Sequence, residues 1–301
     1  MVKTYHFDRV KISELIDHIK FLPLVIHKIT QPYENNPWYI YRRIFVNDKR
    51  ARAGAIFWLH HKEALSRAQK EYGIPANIIV AIIGVESYYG TRQGKISVLN
   101  SLGTLAFYYP PRADFFRMEL AQYLIMTKKL HTNPHYFKGS YAGAIGWPQF
   151  MPSSYLKYAV DFDHNTRIDL QGDVDDVIGS IANFFKQQGW KQGGKFHARA
   201  KAIGNNYKPL LNKINDTIYT VGELKKHGIY PTEKLPNNMH VNILRLKMAH
   251  HYKFLICFHD FYVLTKYNTS PEYVMAVLQL ADKISSFSPQ NLTTPSHIKT
   301  P

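Results

Sequence analysis

Cysteine is nearly absent from this chain of 301 residues, which contains one, Cys257. A lone cysteine excludes an intramolecular disulfide, and it excludes zinc or iron–sulfur sites built from several thiolates. Long hydrophobic runs are missing too, because the longest, residues 78–85, is far shorter than the roughly 20 residues that cross a bilayer. The first residues show no apolar segment followed by a cleavage site. Either the protein is cytoplasmic or an export signal precedes this sequence.

Acidic residues are scarce relative to basic ones. The chain has 22 Asp and Glu against 38 Lys and Arg, which gives a formal net charge of +16. This surplus predicts an anionic partner: nucleic acid, an anionic lipid surface, or an acidic polymer such as cell-wall peptidoglycan. Hydrophobic residues make up 45% of the chain and aromatic residues 14%. That content is sufficient for a core and excludes wholesale disorder.

The spacing of apolar residues predicts helices along most of the chain. The predicted helices cover residues 12–22, 55–72, 75–87, 114–130, 175–188 and 271–284. Between about residues 191 and 264, short apolar runs separated by Gly, Pro and Asn predict strands. These strands are at 217–221, 244–248, 254–258 and 261–264. Residues 31–43 and 138–152 read as irregular segments. The fold class predicted is α+β and mainly α.

One carboxylate follows the most apolar of these helices. Glu86 comes directly after residues 78–85 and shares a helix face with Ile82. Partial desolvation and the negative end of the helix dipole would both raise the pKa of this carboxyl group. An acid that keeps its proton near neutral pH suits cleavage of a glycosidic bond. From spacing alone, a structural ion pair with Arg92 or Arg112 is the more common arrangement.

The sequence motifs around Glu86 indicate a function more specifically than its position after an apolar helix does. Residues 83–90 read Ile-Gly-Val-Glu-Ser-Tyr-Tyr-Gly, and residues 139–155 contain Gln-Phe-Met-Pro-Ser-Ser-Tyr. These motifs closely resemble those of the B-type membrane-bound lytic murein transglycosylases, and the resemblance runs in order over residues 7–284. It implies a lysozyme-like helical core with an added helical domain and a small β domain. It also implies cleavage of the β-1,4 bond between N-acetylmuramic acid and N-acetylglucosamine. In that reaction the muramyl C6 hydroxyl attacks in place of water and leaves a 1,6-anhydro end.

The resemblance also assigns roles to individual residues. It makes Glu86 the sole catalytic acid and base. The positions that match substrate-binding ones are Tyr41, Arg112, Ser140, Gln149, Phe150, Phe184, Tyr267, Asn268 and Tyr273. Arg112 matches one of two adjacent arginines that contact the acidic stem peptide, and Pro111 stands where the other is expected. Phe184 stands where the family has Tyr.

A polar loop begins at residue 161 and resembles the start of a calcium-binding loop. Its ligands would be side-chain oxygens of Asp161, Asp163 and Asn165, and the backbone carbonyl of Arg167. By family resemblance, Asp176 closes the site. Thr166 occupies the turn position that normally needs Gly, and Gly172 stands where a Glu is usual. The alternative is a polar loop without tight metal binding, and no cofactor is expected to be required.

The sequence pattern and the resemblance together predict five segments. They are an N-terminal helical domain (1–74), a lysozyme-like catalytic core (75–190), a small β-rich domain (191–265), a final helix returning to the core (266–285) and a flexible tail (286–301). The expected partners are glycan strands and stem peptides of peptidoglycan and a cell-wall synthesis or lysis complex, with no nucleic acid. We expect a periplasmic monomer, anchored to the outer membrane through a segment absent from this sequence. Two other functions stay open: a non-catalytic peptidoglycan-binding protein and a lysozyme-type hydrolase.

Overall fold

The computed structural model describes residues 1–31, 36–211 and 218–287. The backbone packs into two compact units, one formed by residues 1–32 and 82–184 and the other by residues 33–81 and 185–301. The predicted five-part division stays a prediction, and most of the predicted tail lies outside the described residues. Within those residues, no helix combines the length and the apolar character needed to span a bilayer.

The described part of the chain contains fourteen α-helices and seven strands. The helices are α1 (Val2–Tyr5), α2 (Arg9–Asp17), α3 (Pro23–Ile29), α4 (Trp38–Phe45), α5 (Asp48–His60), α6 (Lys62–Tyr72), α7 (Ala76–Ser87), α8 (Val98–Tyr108), α9 (Ala113–Lys129), α10 (Pro152–Tyr158), α11 (Val174–Gln187), α12 (Val221–Lys226), α13 (His259–Thr265) and α14 (Pro271–Ser286). The strands are β1 (Ile96–Ser97), β2 (Lys138–Gly139), β3 (His197–Ala202), β4 (Tyr219–Thr220), β5 (Ile229–Pro231), β6 (His240–Lys247) and β7 (Tyr252–Cys257). The prediction of a mainly helical α+β protein is confirmed.

The predicted helices agree with the structure where the apolar period is strong. The predictions for α7, α9, α11 and α14 are confirmed to within two residues at each end. The helix predicted over 12–22 is wrong at both ends, because Asp8 caps α2 by accepting the N–H of Val10 and α2 ends at Asp17. The single helix predicted over 55–72 is two helices, α5 and α6, which meet at His61.

Other errors concern short segments. The loop predicted over 31–43 is wrong from Trp38, where α4 begins directly after Pro37. The strand predicted over 261–264 is wrong because those residues lie in α13, and a short apolar run fits a buried helix as well as a strand. Of the strand predicted over 217–221, Thr217 lies outside the described residues. Val221 begins α12, which a capping box between Thr220 and Glu223 stabilises.

The first unit carries a small curled sheet beside its helices. Strands β1 and β2 pair antiparallel, with Ile96 opposite Gly139. Isolated bridges then join Gly139 to Ile145 and Ile145 to Phe150, so the chain folds back on itself twice after β2. Helix α9 packs against α8 and α10. This arrangement holds residues 138–152 in a defined shape although they contain little regular structure.

The second unit is built on an antiparallel sheet whose described strands lie in the order β4-β6-β7-β3-β5. One face of this sheet is apolar and packs against α12 to form a core. The sheet contributes Ile229, Val241, Ile243, Phe254 and Ile256 to this core. Helix α4 contacts β6, and α14 contacts both α4 and α5. The three helices and the sheet therefore form one packed body.

A buried carboxyl group lies in the second unit, in the first turn of α13. Asp260 is 2% exposed, and its Oδ1 accepts the backbone N–H of Lys191 at 3.0 Å. Its Oδ2 is buried and has no hydrogen-bond partner among the described residues. Burial raises the pKa of Asp260, against the lowering effect of that hydrogen bond and of His259 and Lys191. The folded protein therefore disfavours the ionised form of this group.

We expect the change in unfolding free energy caused by Asp260→Asn to be more favourable to the folded state at pH 7 than at pH 4.5. Because the pKa is raised on folding, the stability linked to Asp260 is complete below the unfolded pKa and is lost as pH rises through the folded value. The amide does not titrate, so the difference between variant and wild type should grow with pH. Urea unfolding at several pH values measures it. Asp114→Asn, at a carboxylate whose side chain is 98% exposed, is the control and should show little pH dependence. A difference independent of pH would contradict the argument.

Candidate active site

Glu86 is the penultimate residue of α7, a helix whose middle is fully buried. From Ile78 to Ile83 each residue of α7 is at most 2% exposed, as predicted from its apolar composition. Glu86 itself is partly exposed. The helix therefore runs through an apolar interior and ends with one carboxylate at a position that solvent and a ligand can reach.

The chain turns sharply after this carboxylate. Tyr88 and Tyr89 have φ angles of 50° and 57°, in the left-handed region that non-glycine residues rarely adopt, and Gly90 follows with φ of 81°. Ser87 fixes the turn, because its Oγ accepts the N–H of Gly90 at 3.0 Å. Tyr89 folds back along the helix, where a Cβ at Gly84 would lie 2.5 Å from its hydroxyl oxygen. Glu86 is thus held between a rigid helix and a strained turn.

The segment after the turn packs closely on the loop that carries Ser140 and Gln149. A Cβ at Gly90 would lie 2.3 Å from the indole ring of Trp147, and one at Gly94 would lie 2.0 Å from the carbonyl oxygen of Gly139. The indole Nε1 of Trp147 donates to the carbonyl of Gln171 at 2.9 Å, which fixes the ring. Only glycine permits backbones to approach this closely.

Ser140 shapes the loop with its own side chain. Its Oγ accepts the backbone N–H groups of Ala142 at 3.2 Å and Ala144 at 3.1 Å. A hydroxyl has two acceptor lone pairs and one proton. Both acceptor positions are used, so the proton is the group that Ser140 can offer to a ligand.

Gln149 has the opposite hydrogen-bonding character. It adopts a left-handed φ of 50°. Its Nε2 donates to the carbonyl oxygens of Gln93 at 3.0 Å and Gly146 at 2.7 Å. With both amide hydrogens used, its Oε1 is left to accept.

Gln93 was not identified from the sequence, and no motif marks it. Its own Nε2 donates to the carbonyls of Gly90 and Gln171, at 3.2 Å in each case, and so ties the turn to the loop.

Phe150 and Phe184 lie together beneath this loop. Their ring centroids are 5.9 Å apart, and Phe184 also meets Tyr158 at 4.7 Å. They are 3% and 6% exposed. Their side chains therefore support the loop from the apolar side and offer little surface to a ligand.

Arg112 lies on the surface of the first unit, at the end of a 3-10 turn that covers Pro110–Arg112. Its guanidinium carbon is 4.4 Å from the ring centroid of Phe115 and 5.2 Å from that of Phe116. Stacking on these rings orients the guanidinium and leaves its edge available to an anion. Pro111 beside it is exposed and uncharged.

Four predicted binding residues belong to the second unit. The rings of Tyr267 and Tyr273 are parallel within 7° at 6.3 Å, and Phe185 stacks on Tyr267 at 5.5 Å. Tyr41 and Tyr273 are 1% and 2% exposed, whereas Tyr267 is partly exposed. Asn268 uses its Oδ1 to accept the N–H of Ser270 at 2.9 Å. Within this unit, Tyr267 is the member of the set with a ring that a ligand can reach.

The predicted calcium loop converges on a small volume. Carboxylate oxygens of Asp161, Asp163 and Asp176 lie within 4.8 Å of one another. Asn165 lies among them, since its Nδ2 donates to Asp163 at 2.8 Å and to Asp173 at 3.2 Å. Arg167 follows, and its N–H donates to Asn165 at 2.9 Å. Asp173 was not identified from the sequence because its position matches no loop pattern.

The chemistry of this loop fits a hard cation. Burial raises the pKa of Asp176, although the N–H groups of Asp169 and Phe162 donate to it, and Asp173 and Asp163 raise it further by repulsion. Thr166 has a φ of 72°, the left-handed value for which calcium loops use glycine. Clustered oxygen donors that repel one another are what calcium neutralises, and nitrogen or sulfur ligands, which transition metals prefer, are absent from this set.

Known proteins share the sequence and the fold of this chain. The family model described as the transglycosylase SLT domain matches residues 1–282. Membrane-bound lytic murein transglycosylase B of Escherichia coli (strain K12) is 37% identical over 295 residues, which are 95% of this chain and 80% of that protein. The soluble lytic transglycosylase SltB1 from Pseudomonas aeruginosa has a TM-score of 0.86 at 40% identity, over 95% of each chain.

Two further solved structures were obtained with ligands. Escherichia coli Slt35, in complex with calcium, has a TM-score of 0.84 at 38% identity and covers 95% of this chain and 90% of its own. SltB3 from Pseudomonas aeruginosa, in complex with NAG-NAM-pentapeptide, has a TM-score of 0.78 at 28% identity over 92% of this chain and 75% of its own. These likenesses confirm the predicted fold class and the predicted resemblance. The chain belongs to the transglycosylase SLT domain family.

Proposed function

We propose that this protein is a lytic transglycosylase that cleaves the β-1,4 bond between N-acetylmuramic acid and N-acetylglucosamine in peptidoglycan and forms 1,6-anhydro ends. The observation that carries this is the family match over residues 1–282. Glu86 fits it, since it stands at the end of a buried helix and is itself partly exposed. The alternatives are a lysozyme-type hydrolase and a binding protein without turnover.

Glu86 serves as both acid and base. Its protonated carboxyl donates to the glycosidic oxygen as the bond from that oxygen to the muramyl C1 breaks. The carboxylate then takes the proton of the muramyl C6 hydroxyl as that oxygen bonds to C1. One bond breaks, one forms, and the carboxyl group ends with its proton. No water enters, so the cleaved products together have the composition of the substrate.

Ser140 and Gln149 bind the acetamido group beside the reacting carbon. The proton of Ser140 suits a carbonyl oxygen, and Oε1 of Gln149 suits an amide N–H. Residues 83–90 and 139–155 contain no carboxylate besides Glu86. The carbonyl of the substrate's own acetamido group therefore stabilises the positive charge at C1. The tight hydrogen bonds that hold both side chains make this orientation rigid.

Outer parts of the substrate are bound by aromatic and basic side chains. In the second unit Tyr267 offers a ring face to a sugar, Tyr273 lies parallel to that ring at 6.3 Å, and Tyr41 and Asn268 belong to the same unit. In the first unit Phe150 and Phe184 support the loop. Arg112 binds a carboxylate of the stem peptide, and SltB3 is a relative solved with such a peptide-bearing fragment. With Pro111 beside it, Arg112 contributes one cation where relatives in this family are expected to have two.

Mass spectrometry of digested peptidoglycan tests the reaction. Fragments ending in 1,6-anhydro-muramic acid support the proposal. Fragments with reducing ends, which are 18 mass units heavier than the anhydro fragments because one water has been added, would show a hydrolase. Intact glycan with retained binding would show a protein without turnover. The wild-type digest run in ¹⁸O-labelled water adds a second criterion, because a transglycosylase incorporates no label.

We infer that the loop of Asp161, Asp163, Asn165, Arg167 and Asp176 binds a structural calcium ion that is not required for the chemical steps. The cluster of three carboxylates supports this, and Slt35 is a relative solved with calcium. The ion would offset the repulsion among the acids and keep the connection between α10 and α11 in one conformation. Asp173, through its contact with Asn165, extends the negative charge around the site.

Calcium at about 1–5 mM, which is at or above the dissociation constants of roughly 0.1–1 mM of weak sites, is expected to raise the melting temperature by a few degrees. A ligand bound only to the folded state stabilises it by RT ln(1 + [L]/Kd), so the shift reports occupancy. Asp161→Asn should remove the shift while Asp114→Asn, at an exposed carboxylate far along the chain, should retain it. Thermal scans with calcium, with magnesium and with chelator measure this. An equal shift in the Asp161→Asn protein would place the ion elsewhere.

We infer that the protein acts in the periplasm on the cell wall and is attached to the outer membrane, which is supported by one relative being described as membrane-bound. The net charge of +16 favours an acidic polymer such as peptidoglycan. Its partners would be glycan strands, stem peptides and a cell-wall synthesis or lysis complex, and it would act as a monomer. Nucleic acid is not an expected partner.

A further inference from the structure

A cavity of about 720 Å³ lies entirely within the second unit and contains none of the residues assigned above to catalysis or binding. Sites for small molecules commonly have volumes of about 300–1,000 Å³. Its walls come from the end of α5, one face of α6, the beginning of α7 with Pro75 before it, Gln192 and one residue of α14. The cavity is therefore large enough for one or two sugar residues.

One wall of the cavity is a polar and positively charged helix face. Lys62, Ser66, Gln69 and Lys70 of α6 line it, and their spacing of four, three and one residues places them along one side of the helix. Among the described lining residues there is no Asp or Glu. Two ammonium groups without a carboxylate in the same lining favour an anionic ligand.

Two amides at the cavity are fixed by other contacts. Gln69 accepts the N–H of Ala76 with its Oε1 at 2.9 Å, which leaves its Nε2 to donate. Asn77 donates its Nδ2 to Oγ of Ser285 at 3.2 Å, which leaves its Oδ1 to accept. A donor and an acceptor held in this way are complementary to an acetamido group, which presents one carbonyl and one N–H.

An aromatic residue completes the lining. Trp58, near the end of α5, is partly exposed at the cavity, and Leu59 beside it is 54% exposed. Tryptophan rings pack against the apolar faces of sugars while sugar hydroxyls remain hydrogen-bonded at the edges. An aromatic ring, an amide pair and two cations at one cavity form a set that matches an N-acetylated sugar with a carboxylate.

We propose that this cavity is a second, non-catalytic glycan site that binds an N-acetylated, carboxylate-bearing sugar of peptidoglycan. Trp58 packs on the sugar ring, Gln69 and Asn77 bind its acetamido group, and Lys62 and Lys70 bind its carboxylate. This inference rests on the proposed function, because it takes the substrate polymer as the ligand. Its effect is to hold the enzyme on an insoluble wall between cleavage events.

The first test is titration of the Glu86→Gln protein with the disaccharide of N-acetylglucosamine and N-acetylmuramic acid. We expect the indole N–H resonance of Trp58, assigned by Trp58→Phe, to shift with saturation. The double variant Lys62→Ser/Lys70→Ser should weaken that binding about fivefold or more. Lys129→Ser, also in the last turn of a helix, is the matched control and should leave it unchanged. N,N′-Diacetylchitobiose, which keeps the acetamido groups and lacks the carboxylate, should bind more weakly. No shift of the Trp58 resonance, or equal binding by the double variant, would overturn the proposal.

The second test separates this site from the reaction. Trp58→Ala should bind and digest insoluble sacculi several-fold less well, while its kcat on a soluble short glycan stays at the wild-type value. A wild type that forms no anhydro ends on either substrate would refute the proposed function. A wild type that forms them, with Trp58→Ala equal to it on sacculi, would refute the second site alone.

Discussion

Glu86→Gln is expected to lower turnover of peptidoglycan by at least ~10²–10⁴-fold, the range that general acid–base catalysis supplies. The amide has nearly the shape of the acid but cannot give a proton to the leaving oxygen or take one from the C6 hydroxyl. Binding of glycan should persist, because the groups assigned to the sugars and the peptide are unchanged. Release of anhydro-muropeptides and pull-down on sacculi measure the two properties separately.

Glu119→Gln is the matched control for that loss. Glu119 is a buried carboxylate of the same unit, 2% exposed, whose oxygens accept the N–H of Ser153 at 3.0 Å and its hydroxyl at 2.6 Å. It caps the beginning of α10 from α9. The variant should lose roughly 1 kcal/mol of stability and retain kcat. Equal loss of turnover in both variants would mean that Glu86 acts through structure and not through its proton.

Gly90→Ala is expected to destabilise the protein by about 2–5 kcal/mol, which combines two costs. A left-handed φ costs a non-glycine residue about 1–2 kcal/mol, and overpacking adds about 1–3 kcal/mol. The second cost arises because the new Cβ would lie 2.3 Å from the ring of Trp147. Since Gly90 is four residues from Glu86, turnover should fall as well. Urea unfolding followed by tryptophan fluorescence gives the stability.

Gly189→Ala is the control that separates the backbone cost from the steric cost. Gly189 has a φ of 88°, close to that of Gly90, but nothing lies within 4 Å of a Cβ built there. The Gly189→Ala variant should lose only the stability that the left-handed φ costs, and it should keep its activity. Adding Trp147→Ala to Gly90→Ala should restore part of the stability, as a double-mutant cycle would show. Two glycine variants with equal losses would show that the indole ring moves aside without cost.

The sequence predicted the helices whose apolar residues keep one period over many turns. Helix α7 is the clearest example, because its burial follows from composition alone. The strand predicted over 261–264 is wrong because four apolar residues do not define a period, and the surrounding packing decides. Strand β3 was missed because its residues His197–Ala202 alternate alanine with basic residues, and they pair as a strand only when β5 and β7 lie beside them.

In the candidate site, too, residues within long motifs could be predicted, and residues whose roles depend on contacts across the fold could not. Glu86, Ser140 and Gln149 were identified because the motifs that contain them are long. Gln93 and Asp173 were not, since their roles come from contacts across the fold and from no local pattern. The burial of Phe150 and Tyr273 could not be foreseen either, because a motif records which residues are present and not which way their rings face.

The strained turn after Glu86 has a consequence for engineering. Tyr88 and Tyr89 are two successive tyrosines in a backbone conformation that suits glycine or asparagine. Selection for heat resistance would therefore favour Gly or Asn at Tyr88, which would relieve about 1 kcal/mol of strain. The same change would loosen the connection that sets where the carboxylate of Glu86 points. A variant stabilised by such a substitution in this turn would stay folded longer at high temperature and lose catalytic rate. Directed evolution of this enzyme should therefore screen for both stability and rate.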